Sequence, residues 1–269
     1  LTMNDGFLIP QVGYGVFKID DAVAERTVED ALEAGYRHID TAAIYQNERG
    51  VGAGIKHSGL GREEFFVTTK LWNTDQARGI SHSALRKSLE LLELDYVDLY
   101  LIHWPSPWRE TFLEAWEALI EMRELGLVKS IGVSNFEEVH LNKIIAATGV
   151  VPAVNQIELH PYLQQQHLSA VDTGLGILTE AWSPLGQGTV LEDPVLTSIA
   201  DKHAVSVAQI IIRWHVQSGR VVIPKSEDPN RLRTNINVFG FELDAQDLTL
   251  IKQINKVSRI GPDPTTADF

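Results

Sequence analysis

Three polar residues, Asp40, Lys70 and His103, each close a strand-like run, and the runs recur at nearly constant intervals. The runs are YRHID (36–40), FFVTTK (65–70) and VDLYLIH (97–103), so the closing residues stand 30 and 33 positions apart. Such an interval accommodates one strand, one helix and two short loops, the repeat of a parallel βα array. The rhythm continues through VKSIGVSN (128–135), AVNQIE (153–158), GILTEAWS (176–183) and RVVIPKS (220–226), and VGYGVF (12–17) brings the strand count to eight. Each run is apolar until its C-terminal end. The pattern predicts an α/β protein, a closed (β/α)8 TIM barrel, in which those ends share one face and that face carries the chemistry.

A barrel of this type needs roughly 250 residues. The chain has 269 and no Pro/Gly/Ser-rich linker at which to divide it, so residues 1–269 are expected to form a single domain. Helices are predicted over 22–34, 47–57, 82–92, 111–125, 137–147, 206–218 and 229–238, with a further pair near 193–203 and 245–255 outside the repeat. Ser206 and Gln209 form a capping box for one of them. The segment TMNDGFLIP (2–10) reads as a hairpin turning at Asp5-Gly6, placed at the end of the barrel opposite Tyr45.

Composition removes several functions. Without cysteine there are no disulfides, thiolate nucleophiles or Cys-based zinc sites. The nine histidines contain no H-x-x-x-H or H-E-x-x-H pair, so no metal site is expected. A net charge of −13 repels nucleic acid and acidic membrane surfaces. No apolar run approaches the roughly 18 residues needed to span a bilayer. The N-terminus opens at Leu1 without the positive-then-apolar layout of a signal peptide. A cytoplasmic protein, working as a monomer, is expected.

Lys70 at the end of an apolar strand is the hardest of the three residues to explain structurally, because a buried ammonium needs a partner. Asp40 on the neighbouring strand supplies one, and Tyr45 follows in the next loop. A cation beside Tyr45 stabilises its phenolate, so its pKa is expected to fall, making it a better proton donor near neutral pH. Singly, Asp40 reads equally well as a helix cap and His103 as a core histidine. Together, Asp40, Tyr45, Lys70 and His103 read as a catalytic proton-transfer set.

The motifs GYRHIDTAAIYQNE (35–48), VTTKLWN (67–73), DLYLIHWP (98–105), SIGVSNF (130–136), VNQIELHPYL (154–163), WSPLGQG (182–188) and IPKSEDPNRLRTNINVF (223–239) together resemble the aldo-keto reductase family across nearly the whole chain. Within it, the bacterial diketogluconate reductase-like members, with short loops around the site, are the most similar in pattern. The resemblance implies NADPH-dependent reduction of aldehydes and ketones: small dicarbonyl, keto-sugar or aromatic aldehyde substrates. It makes Tyr45 the proton donor, Lys70 and Asp40 the pair that tunes it, and His103 the residue that orients the carbonyl. It assigns the nicotinamide carboxamide to Ser134, Asn135 and Gln156, and stacking of its ring to Trp182. Ser183 and Leu185 join the cofactor contacts. Phe17, Trp72 and Trp104 line the substrate pocket with His103, and Trp108 stands close by in sequence.

The cofactor end also follows from physics. No G-x-G-x-x-G occurs, so a Rossmann dinucleotide site is unsupported. Instead Lys225 and Ser226 end the last strand, Asp228 caps the next helix, Pro229 suits its first position and Arg231 follows one turn in. A helix N-terminus between a lysine and an arginine is an anion site. By resemblance it takes the 2′-phosphate of NADP through Lys225, Ser226, Arg231 and Asn235. Glu227 and Asp228 depart from the family pattern: they repel a phosphate, and a carboxylate there can accept from a ribose hydroxyl. NADPH is the expected cofactor, with NADH use brought into play. The short loop QGTVLED and the short stretch after Ile260 predict an open pocket of broad selectivity. Two other readings stay open. Lys70 could be a Schiff-base lysine of an aldolase, although pairing with Asp40 keeps the amine charged and a poor nucleophile. The barrel could also serve as a cofactor-sensing binding protein.

Overall fold

The computed structural model of the chain describes residues 1–267 and 269. Eight strands form one sheet in chain order: β1 (Tyr14–Gly15), β2 (His38–Asp40), β3 (Phe66–Leu71), β4 (Val97–Ile102), β5 (Val128–Ser134), β6 (Val154–Glu158), β7 (Leu178–Trp182) and β8 (Val221–Val222). Every neighbouring pair is parallel. The two edges then meet. Val12 bridges Val222 in parallel, the Gly13 N–H donates to the Val222 carbonyl at 2.8 Å, and the Val222 N–H donates to the Gln11 carbonyl at 2.9 Å. This closes the sheet into the expected (β/α)8 barrel.

At that seam the regular pairing is shorter than the sequence runs. Two residues of VGYGVF and two of RVVIPKS keep it. Gly13 and Gly15 press against His38 and Ile223, where a Cβ on Gly15 would lie 3.1 Å from the Ile223 carbonyl oxygen. Pro224 has no N–H to contribute to a ladder.

The helices are α1 (Asp21–Glu33), α2 (Glu48–His57), α3 (Arg78–Leu92), α4 (Phe112–Glu124), α5 (Glu138–Thr148), α6 (Gln166–Leu175), α7 (Pro194–His203), α8 (Val207–Gln217), α9 (Pro229–Ile236) and α10 (Ala245–Gln253). As expected, α7 and α10 lie outside the repeat. The Ser206 hydroxyl accepts from the Gln209 N–H, and the Gln209 side chain accepts from the Ser206 N–H, completing the capping box of α8. One helix, α6, was not foreseen. Its sequence, QHLSAVDTGL, turns Asp172 inward beside Leu168, so a carboxylate interrupts the buried face. The carboxylate accepts from Asn155 Nδ2 at 3.1 Å and Thr179 Oγ1 at 2.8 Å, so a polar anchor replaces the apolar stripe. Burial pushes this carboxyl up to about 7.

The core has two parts. The larger lies between the strands and the helices. The smaller fills the lumen: Phe66, Leu99, Leu101, Val154 and Val221 pack with Met3 and Ile9 of the N-terminal segment. That segment is the expected hairpin, with an antiparallel Thr2–Leu8 bridge and Gly6 at φ +91°, a turn conformation that favours glycine. Asn4 Nδ2 donates to the Pro152 carbonyl just before β6, which places the hairpin at the N-terminal end of the barrel. Among the described residues, no single helix is long and apolar enough to cross a membrane.

The GVGAG run of α2 (50–54) has a structural use. Gly50 and Gly54 abut the carbonyls of Asp21 and Glu25 on α1, and Gly52 abuts the end of α3, where a Cβ would sit 2.5 Å from the Leu92 carbonyl oxygen. Helix α2 is thus drawn in close between its two neighbours. Gly52→Ala gains roughly 1 kcal/mol of helix propensity but forces a backbone shift of the overpacking kind, which typically costs about 1–3 kcal/mol. The expected outcome is a lower melting temperature. A rise would show that the α2–α3 contact yields freely.

Candidate active site

Asp40 ends β2, Lys70 lies near the end of β3, and His103 directly follows β4, so the barrel closes all three onto one face. Tyr45 arrives on a single 3-10 turn, Ala43–Tyr45, after β2. Asn47 ties this turn down: its Oδ1 accepts from Thr41 Oγ1, and its Nδ2 donates to the carbonyls of Val16 and Ile19. Lys70 is fully buried, and its Nζ donates to Asp40 Oδ1 at 2.6 Å and to the Thr41 carbonyl at 2.8 Å. The same Nζ is 5.2 Å from the centroid of the Tyr45 ring. The His103 ring meets Tyr45 edge-on at 5.7 Å between centroids. The four side chains therefore form one contiguous cluster.

Charge states follow from burial and pairing. Burial opposes the Lys70 charge, but the Asp40 carboxylate outweighs it and holds the ammonium above the usual lysine range. Burial, aided by the Lys70 charge, pushes His103 well below the usual histidine range, so its ring is neutral at physiological pH. Tyr45 corrects an expectation. Lys70 does lower the phenol pKa, but burial raises it by more, and the net direction is upward. Asp40 contributes to the rise, because an ammonium already committed to a carboxylate stabilises a phenolate less than a free one does.

Beyond this cluster, Ser134 ends β5 and Asn135 follows it in the left-handed region, at φ +62°. Asn135 Nδ2 donates to the His103 carbonyl at 2.9 Å and to Ser134 Oγ at 3.0 Å. Its Oδ1 accepts from Trp182 Nε1 at 2.9 Å, which fixes the half-buried indole at the end of β7. Gln156 is buried in β6, and its Nε2 donates to Asp40 Oδ2 at 2.8 Å and to Glu180 Oε2 at 3.0 Å. Ser183 (φ +47°) and Leu185 lead away from Trp182, with Leu185 packed on the outer core. An indole face flanked by side-chain amides and a hydroxyl suits a flat aromatic carboxamide, so these residues fit a nicotinamide.

Around β8 the anticipated anion site is assembled and partly self-neutralised. Asp228 caps α9, its Oδ1 accepting from the N–H groups of Asn230 at 2.8 Å and Arg231 at 3.4 Å. Ser226 Oγ accepts from the Asp228 N–H at 3.1 Å, and Tyr14 holds the Ser226 carbonyl at 2.8 Å. Lys225 Nζ is 2.5 Å from Glu227 Oε1, and Arg231 Nε is 3.9 Å from Asp228 Oδ2. Asn235 is buried one turn further on in α9. The donors, the helix N-terminus and the two cations fit a phosphate, and each cation carries a competing carboxylate.

The aromatic mouth differs from the open pocket expected. Phe17 leans on Tyr45 at 5.0 Å between centroids, and Trp72 meets His103 edge-on at 5.2 Å. The final residues add a wall. Phe269 stacks on Trp72 at 5.8 Å with only 4° between the rings, and it meets Trp104 edge-on at 5.1 Å. Trp108, half exposed, donates its Nε1 to the Ala267 carbonyl at 3.0 Å, so it holds this segment. The segment begins at Glu158, whose oxygens accept the Ile260 N–H at 2.6 Å and the Gly261 N–H at 3.0 Å. Burial opposes ionisation of Glu158, but hydrogen bonds from His160 and these two amides hold it below the usual carboxylate range. Length alone did not disclose the wall, because its attachments cross more than a hundred residues.

Glu158, Glu180 and Phe269 are the site residues the sequence reading passed over. A glutamate inside an otherwise apolar strand, as in GILTEAWS, was the available signal for Glu180.

A sequence model of the Aldo/keto reductase family matches residues 11–256. The chain belongs to this family. It is 53% identical over 269 residues, covering 100% of this chain and 98% of the relative, to a protein of Mycolicibacterium smegmatis called aldo-keto reductase. It is 48% identical over 266 residues, 98% of this chain and 96% of the relative, to methylglyoxal reductase DkgA of Escherichia coli K12. Among solved structures, a mutant of Gox0644 in complex with NADPH superposes with a TM-score of 0.96 at 48% identity, covering 100% of this chain and 98% of that one. An aldo-keto reductase of Bombyx mori in complex with NADP gives 0.90 at 40% identity, with 97% and 94% covered.

Proposed function

We propose that this chain reduces small aldehydes and ketones to alcohols with NADPH, and that Tyr45 is the proton donor. When bound, NADPH supplies the hydride that reduces the carbonyl carbon. The observation that carries the reading is the buried Lys70 ammonium, held by Asp40 and facing Tyr45, beside a neutral His103. Tyr45 gives its phenolic proton to the carbonyl oxygen, and the Lys70 charge stabilises the phenolate left behind. A neutral imidazole can direct an N–H to the same oxygen without competing as an acid. Phe17, Trp72, Trp104 and Phe269 exclude water and favour flat or small carbonyl compounds, in keeping with the name of the methylglyoxal reductase relative. Ser134, Asn135, Gln156 and Trp182 receive the nicotinamide, with Ser183 and Leu185 beside them. Lys225, Ser226, Arg231 and Asn235 receive the 2′-phosphate, and Glu227 stands against it.

The aldolase alternative loses ground on the same geometry. A lysine held charged by a carboxylate at 2.6 Å is a poor nucleophile. On our reading residues 1–269 act as one barrel domain, because the eight strands close a single sheet, and the protein is a cytoplasmic monomer. A light-scattering mass near 29.9 kDa checks the last point, and twice that mass would reject it.

Tyr45→Phe removes the acid and preserves the ring over Lys70. The expected loss in kcat with an unactivated aldehyde is on the order of 10²–10⁴-fold, the usual span for general acid catalysis, with NADPH binding retained. A variant that keeps most of the parent kcat would dismiss Tyr45 as the donor.

Cofactor choice turns on the two carboxylates at β8. Charge-assisted bonds to a phosphate are worth roughly 1.5–3 kcal/mol each. Repulsion from the exposed Glu227 and Asp228 is screened by salt. NADPH is therefore preferred, with a margin narrowed by the need to break the Lys225–Glu227 contact. Arg231→Ala should weaken NADPH binding by about tenfold and leave NADH binding nearly unchanged, as read by quenching of Trp182. Equal losses for both cofactors would mean that Arg231 does not read the phosphate, and tighter binding of NADH by the parent would show that the carboxylates dominate.

A further inference from the structure

Glu180 is a second carboxyl group in the barrel lumen, and the pairing described so far gives it no cation. It lies at the middle of β7, fully buried, between Gln156 on β6 and Val221 on β8. Its neighbour Thr179 turns outward to Asp172, so Glu180 faces the lumen by strand alternation. One oxygen, Oε2, accepts from Gln156 Nε2 at 3.0 Å. The other, Oε1, has no hydrogen-bond partner among the described residues and lies 3.8 Å from His38 Nε2, which is already bonded to Thr68 Oγ1 at 2.9 Å.

Among the described residues, the elements around it bring a single cation. β2 presents His38 and Asp40, β3 presents Lys70, β6 presents the amide of Gln156, β8 presents Val221, and the turn after β2 presents Tyr45. Burial holds His38 neutral, pushed down to about 3, so it offers no cation. Lys70 is bound to Asp40. Two carboxyl groups thus share one ammonium in a space closed to water. His38, Asp40 and Glu180 each bring a ligand-type atom within 4.8 Å of the others, but Lys70 already supplies the positive charge at Asp40. An isolated carboxylate in such surroundings takes up a proton rather than bear the desolvation penalty.

We propose that Glu180 is a positioning residue for carbonyl reduction, kept as the neutral acid so that the single charge of Lys70 is shared by Asp40 and Tyr45 alone. This rests on the reductase reading above. Geometry carries it: Glu180 is fully buried, and among the described residues its Oε1 has no hydrogen-bond partner and the only amide that reaches it is shared with Asp40. Burial, reinforced by the neighbouring Asp40, pushes the Glu180 carboxyl up to about 8, so it holds its proton at neutral pH. Its negative charge, once formed, acts on Tyr45 in the direction that raises the phenol pKa. Deprotonation of Glu180 therefore makes Tyr45 a weaker acid while leaving the Lys70–Asp40 contact in place. Gln156 links the two effects, because one amide group donates to both carboxyls.

The sign of the stability effect is fixed by linkage. Between the ordinary glutamate pKa, 4.5, and about 8, the folded chain holds a proton at Glu180 that the unfolded chain has lost. Stability from this group is therefore complete below 4.5 and declines as pH rises towards 8. A neutral replacement escapes that decline.

The test compares the full-length parent with Glu180→Gln and, as a second neutral replacement, Glu180→Thr. In the kcat–pH profile for NADPH-dependent reduction, the parent should fall with a midpoint near 8. Both variants should carry that fall at least about one pH unit higher, a shift a purely structural role would not produce. In parallel, the melting temperature of Glu180→Gln relative to the parent should increase between pH 5 and pH 7. An alkaline midpoint unchanged in both variants, or a melting difference equal at the two pH values, would overturn the proposal. A parent that reduces no carbonyl with either nicotinamide would remove the reductase reading and this role together, and the melting comparison would still report whether Glu180 holds the proton.

Discussion

The contact between Lys70 and Asp40 is the interaction on which the active face depends. A bare ammonium or carboxylate in the lumen carries a desolvation penalty of several kcal/mol, and removing one partner of such a pair typically costs about 3–5 kcal/mol. The two residues come from adjacent parallel strands, so the pair can exist only if β2 and β3 are in register, with Asp40 opposite Thr68. It also fixes the Thr41 carbonyl, from which the chain enters the turn that presents Tyr45. One ion pair therefore couples sheet register, loop path and the electrostatics of Tyr45.

Much of this was legible in the sequence because barrel strands write their function at their ends. Asp40, Lys70 and His103 each stand where an apolar run stops, and the structure places all three together with Tyr45. The capping box of α8 and the Asp228 cap of α9 were readable for a different reason: caps are local and need only neighbouring residues. What escaped was non-local. Helix α6 is anchored by an inward-facing Asp172, whose partners Asn155 and Thr179 lie in the strands β6 and β7. The upward pKa of Tyr45 depends on enclosure, which spacing does not report. The wall formed by Phe269 depends on Glu158 and Trp108, remote in sequence.

The cofactor end shows a different balance. Lys225 and Arg231 sit on the rim of the barrel with much of their charge exposed to solvent, unlike Lys70. Ion pairs of that kind contribute little to stability, about 0–1 kcal/mol, so Glu227 and Asp228 can be exchanged for an incoming phosphate without disturbing the fold. On the function proposed above, the interior pair sets chemistry and cannot be traded, whereas the rim pairs set preference and can.

The N-terminal hairpin has a consequence for traffic through the molecule. Met3 and Ile9 pack into the lumen against Phe66, Leu99, Leu101 and Val221, all nearly inaccessible to solvent. The barrel is stoppered at that end and is a blind well. On the function proposed above, carbonyl compound, product alcohol and the proton that restores Tyr45 would all pass at the opposite end, where Trp72, Trp104 and Phe269 meet. Departure of one and arrival of the next are then queued events at a common doorway, and the width of that doorway governs recharging of the acid as well as admission of substrate.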